Sequence, residues 1–217
     1  MTAVTARWAR RLGRLAVTAL RWEAAGWASA ARVVARRPKL GPGGTAVPYV
    51  GGLRTVLVVL VGLSAVEIVV LDLVLQPWPT VRFPVLVLGV WGLLFMLGVT
   101  AGLVVHPHVV GPDGVRVRSG PLVEVVVPWG AVDRVVVRRH AFDSGASVQV
   151  DDGTEDGAVV SFPVQGTTAA EVLLDRPLTL ALPKGAVAAR AVRFHCDDTT
   201  VLMAAVRTHL RAFEQRG

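Results

Sequence analysis

The stretches TVLVVLVGLSAVEIVVLDLVLQ (residues 55–76) and FPVLVLGVWGLLFMLGVTAGLVV (residues 83–105) decide how this chain is built. Both are apolar almost throughout. As helices rising ~1.5 Å per residue they reach ~33 Å, enough to cross a hydrocarbon core of ~30 Å. Only PWPTVR (77–82) separates them, so the two helices must run antiparallel. The expected unit is a two-helix transmembrane hairpin over residues 54–105.

Charge supports that reading from both flanks. The chain has 217 residues, 53% of them hydrophobic, and a mean hydropathy of +0.54. That is too apolar for an ordinary soluble domain, and the excess lies in the hairpin. The net charge is +7, unevenly placed: residues 1–54 carry ten Lys/Arg against Glu23 alone, while 106–217 carry twelve bases and thirteen acids. The basicity flanks the membrane segment. It points to anionic lipid headgroups and away from nucleic acid. Bases crowd both ends of the hairpin and only Arg82 lies in its connection, so both termini are expected in the cytoplasm. The implied location is the plasma (inner) membrane, as a multi-pass protein. Arg outnumbers Lys 21 to 2, which reads as the coding bias of a GC-rich bacterial genome. The single cysteine, Cys196, permits no intramolecular disulfide and fits a reducing compartment.

Residues 1–40 read as a basic amphipathic helix ended by Pro38. Trp8, Leu12, Leu15, Ala19 and Trp22 fall on one face; Arg7, Arg10, Arg11, Arg14 and Arg21 fall on another. Tryptophan on the apolar side and arginine on the polar side suit a helix lying at a membrane surface. The other reading is a helix packed on the protein's own folded domain. A signal peptide is disfavoured, because Leu15–Leu20 is too short and runs at once into Arg21 and Glu23. Residues 41–53 are rich in Pro and Gly and read as a linker.

From His106 the pattern turns to short β-type runs with turn signals between them. Expected strands are Val109–Val110, Val115–Val117, Leu122–Val127, Val132–Val137, Ser147–Val150, Ala158–Val164, Leu178–Leu182 and Ala191–Phe194. Asp197 or Asp198 then caps a final helix that ends near Gln215, with Val201, Leu202, Ala205, Val206, Leu210 and Phe213 on its apolar face. Trp129, set after a proline, reads as a core plug.

Two segments carry a family resemblance: Gly111–Pro112–Asp113–Gly114–Val115–Arg116–Val117–Arg118–Ser119–Gly120, and Val126–Val127–Pro128–Trp129–Gly130–Ala131–Val132–Asp133–Arg134–Val135. A hairpin running into a strand with Arg and Gly, followed by an apolar-Pro-Trp corner, resembles the bacterial pleckstrin-homology-like family of membrane-anchored proteins. Here Gly130–Ala131 stands where a polar pair is usual after the tryptophan. The resemblance implies a PH-like small β-barrel or sandwich over 106–217, capped by a C-terminal helix. The fold class expected for the whole chain is thus membrane α + β. The resembling residues are scaffold residues and imply little chemistry.

Within the hairpin three residues are polar and placed to interact: Glu67 and Asp72 in the first span and Trp91 in the second. Glu67 lies near mid-span, where an ionised side chain is costly. Depth matching across the hairpin sets it level with Trp91, whose indole could donate to it. Proton or ion handling and pairing between copies are the other readings. Asp72 can reach Arg82. Gly98 and Gly102 form a G-x-x-x-G step, with Gly62 and Ala65 on the first span as small counterparts, either for packing within the hairpin or for a homo-oligomer.

No catalytic signature stands out. His106–Pro107–His108 and His195–Cys196 lack the spacing of a zinc site. His140, Asp143 and Ser144 have no nucleophile elbow. Asp151–Gly157 fails the calcium-loop pattern. No cofactor is expected. The expected function is non-enzymatic: a PH-like protein- or peptide-binding module held at the membrane as scaffold or accessory subunit, its protein partner unknown. The alternative is an oligomeric membrane protein with a proton- or ion-linked role centred on Glu67.

Overall fold

The structure is a computed structural model; it describes residues 17, 21, 23–33, 41–151, 157–183 and 185–215. The chain forms two compact units. The described residues of the first are 17, 21, 23–33 and 57–105; those of the second lie within 38–56 and 106–217.

In the first unit, residues 23–33 are helical. Helix α1 (Gly51–Val74) enters this unit at Leu57, and α2 (Pro79–Val105) returns antiparallel to it. Both helices are long and apolar enough to cross a membrane. α1 buries none of its side chains. The two helices meet along the face of α1 that carries Ile68 and Asp72. A Cβ on Gly89 of α2 would lie 3.0 Å from the Ile68 side chain, so glycine there brings the helices close. Arg82 closes the turn end with two hydrogen bonds to Asp72, of 2.7 and 2.9 Å.

The second unit is built from two sheets and a helix. β1 (Thr45–Val47), β2 (His108–Gly111), β3 (Gly114–Ser119) and β4 (Val123–Pro128) form one antiparallel sheet in that order. A short 3-10 turn, Trp129–Ala131, leads into the second sheet. This comprises β5 (Val132–Ala141), β6 (Gln149–Asp151), β7 (Ala158–Phe162), β8 (Thr167–Leu182) and β9 (Gly185–Phe194), in the order β5-β8-β9-β7-β6. Among the described strands only β7 and β9 pair in parallel. The final helix, α3 (Thr199–Glu214), is capped by Asp198, whose carboxylate accepts from the backbone N–H groups of Thr200 and Val201.

Valines at alternating positions of β3 and β4 point inward and meet Val160, Phe162, Val172 and Phe194 of the second sheet in one core, with Leu202, Ala205 and Val206 of α3 packed on it. Trp129 is fully enclosed there and donates its indole N–H to the Gly111 carbonyl at 2.9 Å. It is the core plug expected from the Pro-Trp corner. The sheets share a core without closing into a barrel, because the chain turns through Trp129–Ala131 and β4 and β5 do not pair.

Two further differences have physical causes. The stretch expected as a linker is stitched into the fold. β1 pairs with β2 from Thr45↔Val110 to Val47↔His108, the Tyr49 hydroxyl accepts the Gly120 N–H, and Asp197 accepts the first N–H of α1, from Gly51, at 2.8 Å. Asp197 therefore serves α1 and leaves Asp198 to cap α3. The strand before Leu178 was masked in the sequence by Glu171 and by Asp175–Arg176–Pro177; a register shift between Leu173 and Leu178 absorbs that polar kink.

Candidate functional site

The hairpin places its polar residues differently from what depth matching alone implies. Trp91 donates its indole N–H to Glu23 at 2.9 Å, not to Glu67. Depth fixes height along a helix but not direction around it. Trp91 lies about 200° around α2 from Gly89, the point of contact with α1. It shares its face with Gly98, one heptad on. There Gly98 meets Gly26: a Cβ on Gly98 would sit 3.1 Å from the Gly26 Cα. Gly98, the first member of the G-x-x-x-G step, thus meets Gly26 of residues 23–33. Gly102 is buried one turn further on. Gly62 has nothing within 4 Å of where its Cβ would lie, so it makes no contact within the hairpin. Residues 23–33 accordingly pack on α2. Of the surface-binding residues expected before them, Arg21 is exposed; Arg7, Trp8, Arg10, Arg11, Arg14 and Trp22 lie outside the described residues.

Glu67 is exposed on α1. It sits about 100° around the helix from Ile68 and hence off the hairpin contact. Among the described residues it has no hydrogen-bond or ion-pair partner.

In the second unit, His108 ties the sheets together. Its Nδ1 accepts from the Arg118 N–H at 3.0 Å, which leaves Nε2 to donate to the His195 carbonyl at 2.8 Å. Its ring stacks on Tyr49 and meets the Phe194 edge. Burial pushes the imidazole down to about 3, so it is neutral at ordinary pH. Both ring nitrogens are committed, which is a structural role. Burial also pushes the Cys196 thiol up to about 11. Among the described residues no three His, Cys, Asp or Glu side chains gather as metal ligands would.

His140 does not join Asp143 or Ser144. It faces Glu171, with Nε2 3.6 Å from the carboxylate, while Arg193 holds the other oxygen at 2.8 Å. Glu171 is buried in β8 and sequence reasoning passed over it; its signal was an acid inside the otherwise apolar run Ala169–Leu174. Most of the acidic turn Asp151–Gly157 lies outside the described residues.

Among the described residues, β1, β4, β5 and β6 end the two sheets and have a paired strand on one side only. β5 is the longest at ten residues, roughly 33 Å of extended chain. Its exposed side chains include Arg134, Val137, Arg138 and Arg139. A cleft of about 650 Å³ adjoins its first residues, lined by Asp133 and Arg134 of β5 and by Asp175, Arg176 and Arg190 of the β8–β9 pair. Arg134 lies 3.6 Å from Asp133.

No family model matches the sequence, and neither curated proteins nor solved structures provide a match.

Proposed function

We propose that this chain is a membrane-anchored, non-enzymatic binding module that takes an extended acidic peptide segment along β5. α1 and α2 hold it in the plasma membrane, with the second unit and both termini on the cytoplasmic side, and it acts as a scaffold or accessory subunit. The resemblance to the bacterial PH-like family supports this reading. So do the charge asymmetry around the hairpin and the two-sheet, one-helix build of the second unit. The observation that carries it is the unpaired edge of β5. An open strand edge offers a row of backbone donors and acceptors to an added strand. Arg138 and Arg139, both exposed on that strand, select negative side chains from the partner, while Arg134 is ion-paired with its neighbour Asp133. Phosphoinositide recognition fits less well: residues 106–217 carry twelve bases against thirteen acids, and the exposed arginines of β5 follow a strand instead of ringing a loop.

The full chain in detergent, titrated with a fluorescent Glu-rich extended peptide, tests this. Binding should fall at least tenfold in Arg138→Glu/Arg139→Glu, and in wild type it should weaken with added salt. Equal affinity for a neutral peptide of the same length would overturn the proposal.

A further inference from the structure

α1 carries two lengthwise stripes. One, half-buried through Ser64, Ile68, Asp72 and Leu75, meets α2. The other runs Leu60, Leu63, Glu67, Val70, Val74, in steps of three, four, three and four. That is the spacing of a coiled-coil seam. Its four apolar members are 45–61% exposed among the described residues. Glu67 stands at the centre of the seam.

We infer that this stripe pairs with the same stripe of a second copy, and that the two Glu67 carboxyls meet across it and hydrogen-bond through one shared proton. The inference rests on the reading of the hairpin as membrane-spanning. Copies inserted in one bilayer share orientation and depth, so α1 meets α1 in parallel and Glu67 arrives level with Glu67 without further adjustment. A carboxyl pair holding one proton supplies donor and acceptor together, so a second copy completes what one copy lacks. A different partner would have to bring a donor to that same depth. Hydrocarbon makes an unpaired carboxyl costly and a paired one adhesive. A lone polar residue at a central seam position also fixes register.

Cysteine crosslinking of the full chain in native membranes tests this, with Cys196→Ala as background. Val70→Cys lies on the seam. Val69→Cys is its control, 60% exposed against 50% for Val70 and at nearly the same depth, but on the far side of the helix. Mild oxidation should give a covalent dimer from Val70→Cys and little from Val69→Cys. In detergent, Glu67→Gln should keep the dimer, because the amide both donates and accepts. Glu67→Leu should weaken it roughly 3- to 30-fold, the range for one interhelical hydrogen bond. Equal crosslinking at both positions, a Val70→Cys adduct with a different protein, or an undiminished Glu67→Leu dimer overturns the inference. Alkaline carbonate extraction separates the two readings. A chain that stays in the membrane but fails to crosslink refutes only the pairing; a chain that washes off refutes the membrane reading itself.

Discussion

The indole Nε1 of Trp91 donates to a Glu23 carboxylate oxygen across 2.9 Å. Seven residues along the same face of α2, Gly98 touches Gly26 backbone to backbone. These two contacts dock residues 23–33 on the side of α2 that α1 does not use. They make α2 the shared central element of its unit.

The glycine contact should matter more than the hydrogen bond. Gly98→Val puts a branched side chain where the Gly26 backbone now sits, so residues 23–33 should separate from α2 and lose their protection from hydrogen exchange in detergent. Trp91→Phe removes one interhelical hydrogen bond, typically ~0.6 kcal/mol, and should only quicken exchange there. Unchanged protection in Gly98→Val would contradict this packing.

Asp72 and Arg82 form a two-point ion pair that closes the turn end of the hairpin. Asp72→Arg alone sets two cations against each other and should lower the amount of folded protein recovered from membranes. Adding Arg82→Asp restores a pair of the same members in exchanged places and should recover most of the loss. A double variant no better than the single one would mean that the pair does not hold the turn.

His108 gives the second unit a pH dependence of known sign. Burial holds its folded-state imidazole at about 3, against an ordinary value of 6.5. Between those values the unfolded chain binds a proton that the folded chain refuses. The stabilisation is therefore complete above pH ~6.5 and is lost progressively as pH falls toward ~3. Burial moves His195 in the same direction. Thermal unfolding followed by the β-sheet signal should show a falling midpoint from pH 7.5 to 5.5, with a shallower fall in His108→Gln. A flat wild-type profile over that range would contradict it.

What the sequence made legible follows from how each signal is written. The helices Gly51–Val74 and Pro79–Val105 were legible as apolar runs, and Trp129 as a plug from its Pro-Trp corner. Directions around helices are not, because near-uniform apolarity leaves no face to read; height alone sets Trp91 level with Glu67, whereas its hydrogen-bond partner is Glu23. β1 is three residues set among prolines and glycines, and its partner strand lies more than sixty residues away. No local pattern encodes such a pairing. Arg138 and Arg139 lie beyond the strand expected at Val132–Val137, and that β5 is an edge depends on strand order, which β8 and β9 decide by pairing between β5 and β7.

Cys196 is 3% exposed and its thiol stays protonated up to about pH 11, so it does not report on topology in the folded chain. Thr80→Cys, at the start of α2, and Ser144→Cys, in the exposed loop after β5, do. In intact cells an impermeant maleimide should label Thr80→Cys and leave Ser144→Cys untouched until the membrane is permeabilised. Labelling of Ser144→Cys in intact cells would reverse the orientation.

The most direct measurement of the central proposal is hydrogen–deuterium exchange of the full chain in detergent, with and without a Glu-rich extended peptide. An added strand must take up the outward backbone N–H groups of β5. Exchange over Val132–Ala141 should therefore slow at alternate residues when the peptide is present, with β1, β4 and β6 unchanged. Slowing on another edge, or none on β5 at a peptide concentration that saturates binding, would contradict the account.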